Sequence, residues 1–553
     1  MIQILLMNNT FKTITTAIAL TAGIFAQADS REVVRIQYND GIVDYIPADD
    51  IARISFARGV DTGSELYTLV NERFDFLKEI LTFYNGHFAI GYGGIMIGLD
   101  CMTEDMNVPD SGYNWFREWC IFNTQSPLYH PTGYMWAMMY STIHGCNSII
   151  SNHAASSEES RLLLAQAHAL RSWAYWNLVQ MYAPNYNFAP QAPGIVILPE
   201  NSGRDGTYPL STVEDVYSAI LADINLAIDY LKEISMDPAH INVTVAKRYI
   251  NLGAAYGLRA RYKLTMHRYA DAAADASMAI EASSGRPLLP AAAAYPGFND
   301  AKLGNWMWAI TINPDDASTK NNVCNFTSQI CSIFDGGYCN FAVPKCCGKA
   351  LHQYLEAQGN DVRRMWFTDE SGKNKNLTPA QQKVVNLSYE TPRMPYLNVK
   401  FDNYQGRVVH PVPASDIPLM RIEEMYLIRA EGLAMSGNVD EARNVLTDFV
   451  ATYRNPGYSC QATDAKTLQD EIIWQRRAEF WGEGLVYFDK LRLQLDMDRF
   501  GDEAVPDRYI LRIRGNSKFM LCRYPKVAPQ VEGFDYEQES ALPVYGPAGD
   551  WNE

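Results

Sequence analysis

Signatures of catalysis are missing from this chain of 553 residues. There is no His-Glu-x-x-His, no Gly-x-Ser-x-Gly and no phosphate-binding loop, so zinc-peptidase, serine-hydrolase and P-loop chemistries have no foothold. Histidine is scarce and scattered, nine in all. His168 falls mid-helix and reads as a packed or surface side chain rather than a base. Cysteine is modest, at ten. Cys324, Cys331, Cys339, Cys346 and Cys347 crowd together, but their gaps of six, seven, six and zero residues do not make zinc-binding pairs. One or two disulfides pinning a loop stay open there, and no metal site is expected. Positive charge is in deficit. The 47 Lys and Arg against 63 Asp and Glu leave a net −16, the wrong balance for clustered phosphate contacts. Nucleic acid is therefore not an expected partner. Past the N-terminus no run of eighteen apolar residues occurs, so no transmembrane helix is expected in the mature protein.

Aromatic residues are plentiful, with 11 Trp, 33 Tyr and 22 Phe. Most must fill a core, and a few are free to form a flat platform for a ligand. Residues 1–28 read as an export signal: Lys12 gives the positive flank, Ile14 to Phe25 a short apolar core, and Ala26-Gln27-Ala28 the cleavage site. Residues 29–60 form a short β-rich segment. Val34, Ile36 and Tyr38 alternate with polar residues, Asn39-Asp40-Gly41 signals a hairpin, Ile42–Ile46 returns, and Ile51–Phe56 is a candidate third strand.

From Ser64 onward the period is helical. Leu66, Leu69, Val70, Phe74, Leu77, Ile80, Leu81 and Tyr84 make one apolar face. The glycines of 91–98 do not match a dinucleotide fingerprint and read as close helix packing or a turn. A long connection, 100–131, precedes a helix marked by Trp136, Tyr140, Ile143, Asn147 and Ile150. Helices follow over Ser160–Tyr182 and, behind a capping box of Ser211 and Glu214, through Leu231. Thr244–Ser283 and 420–450 read as two further helical pairs with alanines on facing positions. Residues 284–417 break the pattern with loops and one buried strand, Trp306–Ile312. The tail after Gly533 reads as coil. No pair can bury its face alone, so the predicted architecture is mainly α: stacked tetratricopeptide-like pairs with loop-rich insertions at about 100–131 and 284–417 and a few short strands.

Four stretches in order carry a resemblance. They are the Trp136–Ile150 helix, the Ala165–Tyr182 helix, the Val213–Leu231 helix, and the run from Arg421-Ile422-Glu423-Glu424-Met425-Tyr426 to Arg476-Arg477-Ala478-Glu479-Phe480, Glu483-Gly484 and Phe488-Asp489. Together they resemble the SusD/RagB family, the outer-membrane nutrient-binding proteins of Bacteroidetes. Asp361-Val362-Arg363 resembles a further family motif. Gln475 stands where the family has Glu, and the usual C-terminal ending is not clear. The resemblance covers roughly 64–495. It implies a SusD-like helical fold, a nutrient-binding rather than catalytic role, no cofactor, and a SusC-like TonB-dependent outer-membrane transporter as partner. Family members usually end their signal in a lipidated cysteine. The first cysteine here is Cys101, so export to the cell surface is expected and a lipid anchor is not.

Glycan is the first substrate class implied, with peptide close behind. A non-catalytic protein-interaction scaffold is the alternative. Sugars stack on aromatic faces while nearby polar groups meet their hydroxyls. Tyr113, Asn114, Trp115, Arg117 and Trp119 offer both kinds within seven residues. A competing reading puts Trp115 and Trp119 on the buried side of a short helix. Phe334, Tyr338 and Asn340, flanked by glycines, are the second candidate set. Trp306 and Trp308 read as core. Glu104-Asp105 is expected to face solvent, and Glu423-Glu424 and Arg476-Arg477 to serve ion pairs or helix contacts.

Overall fold

The computed structural model describes residues 17–19, 33–37, 43–47, 60–79, 87–108, 115–126, 130–241, 243–315, 325–330, 344–386, 395–406, 414–538, 541–546 and 548–553. The chain divides into two compact units, 1–59 and 60–553. In the first, β1 (Ala17–Ala19), β2 (Val33–Gln37) and β3 (Val43–Pro47) form an antiparallel sheet in that order. β2 and β3 pair as the expected hairpin, with Arg35 opposite Tyr45. The third strand is β1, inside the stretch expected to be the export signal, and the strand expected at Ile51–Phe56 lies outside the described residues.

The second unit is helical. α1 (Glu65–Phe76) starts behind Ser64, whose hydroxyl accepts the Tyr67 N–H. It is shorter than the apolar face through Tyr84 predicts: Leu77 turns its carbonyl to the N–H of Tyr92 at 2.7 Å, and residues 80–86 lie outside the description. α2 (Tyr92–Cys101) is buried along its whole length, so the glycine-rich stretch is a packed helix. α3 (Arg117–Cys120) is a single turn, and α4 (His130–Asn152) and α5 (Glu158–Tyr182) follow. α6 (Val213–Glu233) begins one residue later than the predicted box. Thr212 caps it, accepting the Asp215 N–H at 3.1 Å. Ser211 is unavailable because its own N–H and carbonyl pair with Ile195 and Gly194. α7 (Leu252–Thr265), α8 (Tyr269–Ala282), α9 (Ile422–Met435), α10 (Val439–Tyr453), α11 (Ala465–Glu479) and α12 (Val486–Leu493) complete the frame.

Each helix packs on the next from α4 through α9, and α9 then takes α10 and α11. This is the predicted stack of pairs, each covering a face its neighbour cannot cover alone. Small residues set the spacing. A Cβ on Gly432 of α9 would lie 2.5 Å from the Tyr269 carbonyl of α8, so α8 and α9 meet backbone to backbone there.

Short strands tie the insertions down. β5 (Trp306–Ile310) pairs antiparallel with β7 (Ile417–Arg421), and both Trp306 and Trp308 are core. β4 (Met106–Asn107) pairs with β6 (Cys346–Cys347), joining the two insertions. Cys346 and Cys347 are buried free thiols, while Cys324, Cys331 and Cys339 lie outside the described residues. The tail is not wholly coil. Trp551–Asn552 pairs in parallel with Arg512–Ile513, because the Asn552 side chain bonds the Arg512 and Val544 carbonyls.

Candidate functional site

The 100–131 connection is locked to the frame before it displays anything. At its start, Gly98 of α2 leaves room for Trp119: a Cβ there would sit 2.5 Å from the indole. Arg499, fully buried, donates to the carbonyls of Cys101, Thr103 and Cys120, so one guanidinium holds both ends of the segment. Burial lowers its pKa. Arg477 of α11 grips Asp105 through two nitrogens, at 2.9 and 2.6 Å. The Trp481 indole N–H and the Gly348 N–H donate to the Asp105 carbonyl at 2.7 and 2.8 Å. Lys490 of α12 reaches Glu104 at 2.8 Å. Glu104 and Asp105 therefore do not face solvent as expected. Burial alone would raise the Glu104 pKa, but Lys490 and Arg477 bring it below the ordinary value.

On this base sits α3. Trp119 is 0% exposed, which corrects its assignment as a ligand contact: it is the side chain that seats the turn. Phe116 is buried beside the Lys345 ammonium, 5.1 Å from its ring centre. Trp115 is half-buried and stacks on His87, with ring centres 4.2 Å apart and planes 25° from parallel. The Arg117 side chain is 43% exposed and pairs with Glu118 at 3.2 Å, while Glu118 accepts from Asn123 at 2.6 Å. The segment thus carries a part-exposed indole and a guanidinium two residues apart on a braced turn. An aromatic face suits the C–H side of a sugar ring or an apolar side chain, and a guanidinium donates to hydroxyls or carbonyls. Tyr113 and Asn114 lie outside the described residues, as do Phe334, Tyr338 and Asn340.

The strongest electrostatics lie elsewhere, in the interior. Arg421 reaches Glu479 at 2.9 Å and Glu483 at 2.8 Å, Arg454 bridges Glu423 and Glu479, and Arg363 is held by Asp361 at 2.6 Å. Lys400 donates to Glu483 and to the Glu479 and Trp481 carbonyls. Burial would raise the Glu479 pKa, but Arg454, Arg421 and Arg363 hold it well below the usual range. Burial also lowers Lys400 to about 8 and raises Asp100 to about 8. Perturbed groups often mark active sites, but these meet no solvent: every member of the cluster is at most 6% exposed. His168 is likewise occupied, its Nδ1 lying 2.8 Å from Asp223. Among the described residues no group of His, Cys, Asp and Glu is placed to hold a metal, and no helix is long and apolar enough to cross a membrane.

Two family models match the chain. The model described as the SusD family matches 316–533, and one described as starch-binding, associating with the outer membrane, matches 68–264. The chain belongs to the SusD family. Solved structures of this fold include a SusD-like carbohydrate-binding protein from Bacteroides vulgatus ATCC 8482, at 21% identity over 79% of this chain and 85% of that one, with a TM-score of 0.64. A SusD superfamily protein from the same organism reaches a TM-score of 0.67 at 17% identity, over 84% and 95% of the two chains. A laminarin-binding SusD-like protein reaches 0.55 at 18%, over 79% and 92%. At these identities the likeness is one of fold. No curated protein matches the chain in sequence.

The SusD-family motifs turn out to meet at one point. Arg421 from the first, Asp361 and Arg363 from the second, and Glu479 with Glu483 from the third form the interior charge cluster. The departure at Gln475 is absorbed there, since its Oε1 accepts from Arg363 at 2.5 Å and its Nε2 donates to Tyr354 at 2.8 Å. Sequence reasoning missed Arg499 and His87. Neither stands in a motif, and their partners are hundreds of residues or a turn of tertiary structure away. The Arg477–Asp105 clamp spans 372 residues and has no local signal either, although Arg477 lies inside a family motif.

Proposed function

We propose that this SusD-family protein is an exported, non-catalytic receptor that captures a polysaccharide or oligosaccharide at the cell surface and passes it to a SusC-type TonB-dependent transporter. The observation that carries the reading is the braced turn of Trp115 and Arg117, displayed on a frame whose interior charge cluster is paired and buried. A binding surface needs aromatic area held in fixed geometry, because ordering loose side chains on contact weakens affinity. Here Arg477, Lys490 and Arg499 hold the turn in place before any ligand arrives. Tyr113 and Asn114, adjacent to Trp115 in sequence, and Phe334, Tyr338 and Asn340 are further proposed ligand contacts. The starch-binding family model over 68–264 and the laminarin-binding structural relative favour glycan over peptide.

Affinity electrophoresis in gels containing laminarin, starch or other neutral polysaccharides tests this directly. The expected result is retardation by at least one polymer, lost in Trp115→Ala, with no release of shorter sugars. Retardation that survives both Trp115→Ala and Arg117→Ala moves the site elsewhere. Binding to peptide mixtures alone, or no ligand at all with co-purification of a transporter, replaces the reading with a peptide receptor or a scaffold.

A further inference from the structure

The C-terminal end of α5 opens on a second cleft, which shares no lining residue with the Trp115 turn. Its volume is ≈ 80 Å³. At about 12 Å³ per water centre that is room for roughly six waters, close to the bulk of one hexose ring. Its polar side chains are four carboxamides, from Gln180, Asn185, Gln494 and Asn516, and two hydroxyls, from Tyr217 and Ser517, and no Lys, Arg, Asp, Glu or His lines it.

Gln180 carries the inference. Its side chain is 5% exposed, yet neither Oε1 nor Nε2 has a hydrogen-bond partner among the described residues. Buried polar groups in folded proteins are almost always met by something, and an amide with both ends unmet calls for a partner from outside the chain, a water or a hydroxyl-bearing guest. Gln180 also lines an inner void of ≈ 20 Å³, the space of one or two waters. There it faces Arg476, 4% exposed, whose Nη1 is likewise unpartnered. The ions around that void cancel: Arg261 pairs with Glu424 at 2.6 Å, Arg476 with Asp489 at 2.7 Å, and Arg492 with Glu431 at 2.6 Å. Neither chamber favours a charged guest.

We propose that this cleft is a saccharide subsite that takes the hydroxyl edge of one neutral hexose residue. Gln180 donates to one hydroxyl through Nε2 and accepts from another through Oε1. Asn516, exposed at the mouth, meets the outer side of the ring. A water in the inner void links Gln180 to Arg476. The inference rests on the carbohydrate reading of the protein but is separable from it.

Saturation-transfer NMR on the whole chain with glucose, galactose, mannose and N-acetylglucosamine provides the test. At least one hexose binds at millimolar concentration, and added salt leaves the signal unchanged. Gln180→Met weakens binding about tenfold, as the loss of a two-ended hydrogen-bonding group predicts. Asn516→Ala, on an exposed side chain that leaves folding alone, weakens it several-fold, and Trp115→Ala leaves it intact. The proposal is overturned if no hexose gives a signal, if both Gln180→Met and Asn516→Ala bind like the parent protein, or if galacturonate displaces the neutral sugars. Failure of the Trp115 reading looks different: polymer retardation becomes insensitive to Trp115→Ala while the hexose signal still depends on Gln180.

Discussion

The interior charge cluster and the Trp115 turn use the same side-chain chemistry to opposite ends. Around Glu479, guanidinium and carboxylate groups are fully buried, each satisfied by several partners, and closed to solvent. On α3, Arg117 pairs once with Glu118 and stays largely at the surface. Buried, an ion pair fixes which segments meet, because separating it strands a charge in a dry interior. Exposed, the same pair adds little stability and leaves its donors available. The molecule thus separates the charged groups that specify geometry from those left at the surface, where the proposed ligand contacts lie. Arg477, Lys490 and Arg499 form the seam between them.

Breaking the cluster produces the largest effect. Glu479→Ala leaves Arg421, Arg454 and Arg363 facing one another, and chemical denaturation of the whole helical unit should show a loss of about 3–5 kcal/mol. Breaking the seam costs less and acts locally. Arg477→Ala removes the two-nitrogen grip on Asp105, and a loss of about 2 kcal/mol is expected. Hydrogen exchange should speed up over 102–107 and 115–120 while α7 and α8 keep their protection. A comparable rise in α7 and α8 would mean that the seam belongs to the frame.

Asp100, at the end of α2 where the two regions join, gives a pH test. Burial pushes its carboxyl up to about 8 from the ordinary 3.8, outweighing the hydrogen bond that the Gly484 N–H donates to it. Between those values the folded form keeps a proton that the unfolded chain has released, so this contribution is full below about pH 4 and is lost as pH rises toward 8. Asp100→Asn, which can still accept the Gly484 N–H, should match the parent near pH 4 and exceed it by a margin that grows as pH rises toward 8. A constant difference across that range would remove Asp100 as the cause. The smallest effect is expected at the displayed end. Arg117→Ala should change stability by less than about 0.5 kcal/mol, while polysaccharide retardation falls clearly. Equal and large losses in both would place Arg117 with the frame.

Much of the frame was legible because helical period, small-residue faces and caps are local properties. α5, α6 and the α9–α10 pair lie where alanine spacing and turn residues put them. What local pattern misjudged was set by tertiary partners. Ser211 has the right chemistry for a cap but is drawn into pairing with 194–195, so Thr212 takes the role. Glu104 and Asp105 read as solvated because adjacent acids on a loop usually are, and only the folded chain brings Arg477 and Lys490 to them. Trp115 and Trp119 were ambiguous for a physical reason. Four apart on one turn, they share a side, yet Gly98 accommodates one indole and His87 the other. The turn therefore divides them between core and surface.

The interior cluster has one more consequence. Its four cations, Arg363, Lys400, Arg421 and Arg454, match its four carboxylates, Asp361, Glu423, Glu479 and Glu483. The chain's entire net −16 therefore lies outside it. At physiological ionic strength such a field extends about 8 Å from the surface, and it acts on an approaching polymer before any contact forms. Chains of uronic acids or sulfated sugars meet repulsion at that distance, whereas neutral polymers do not. Under the proposed glycan-receptor role, selection between polymers then begins in the encounter rate, by sign of charge, ahead of any discrimination by shape.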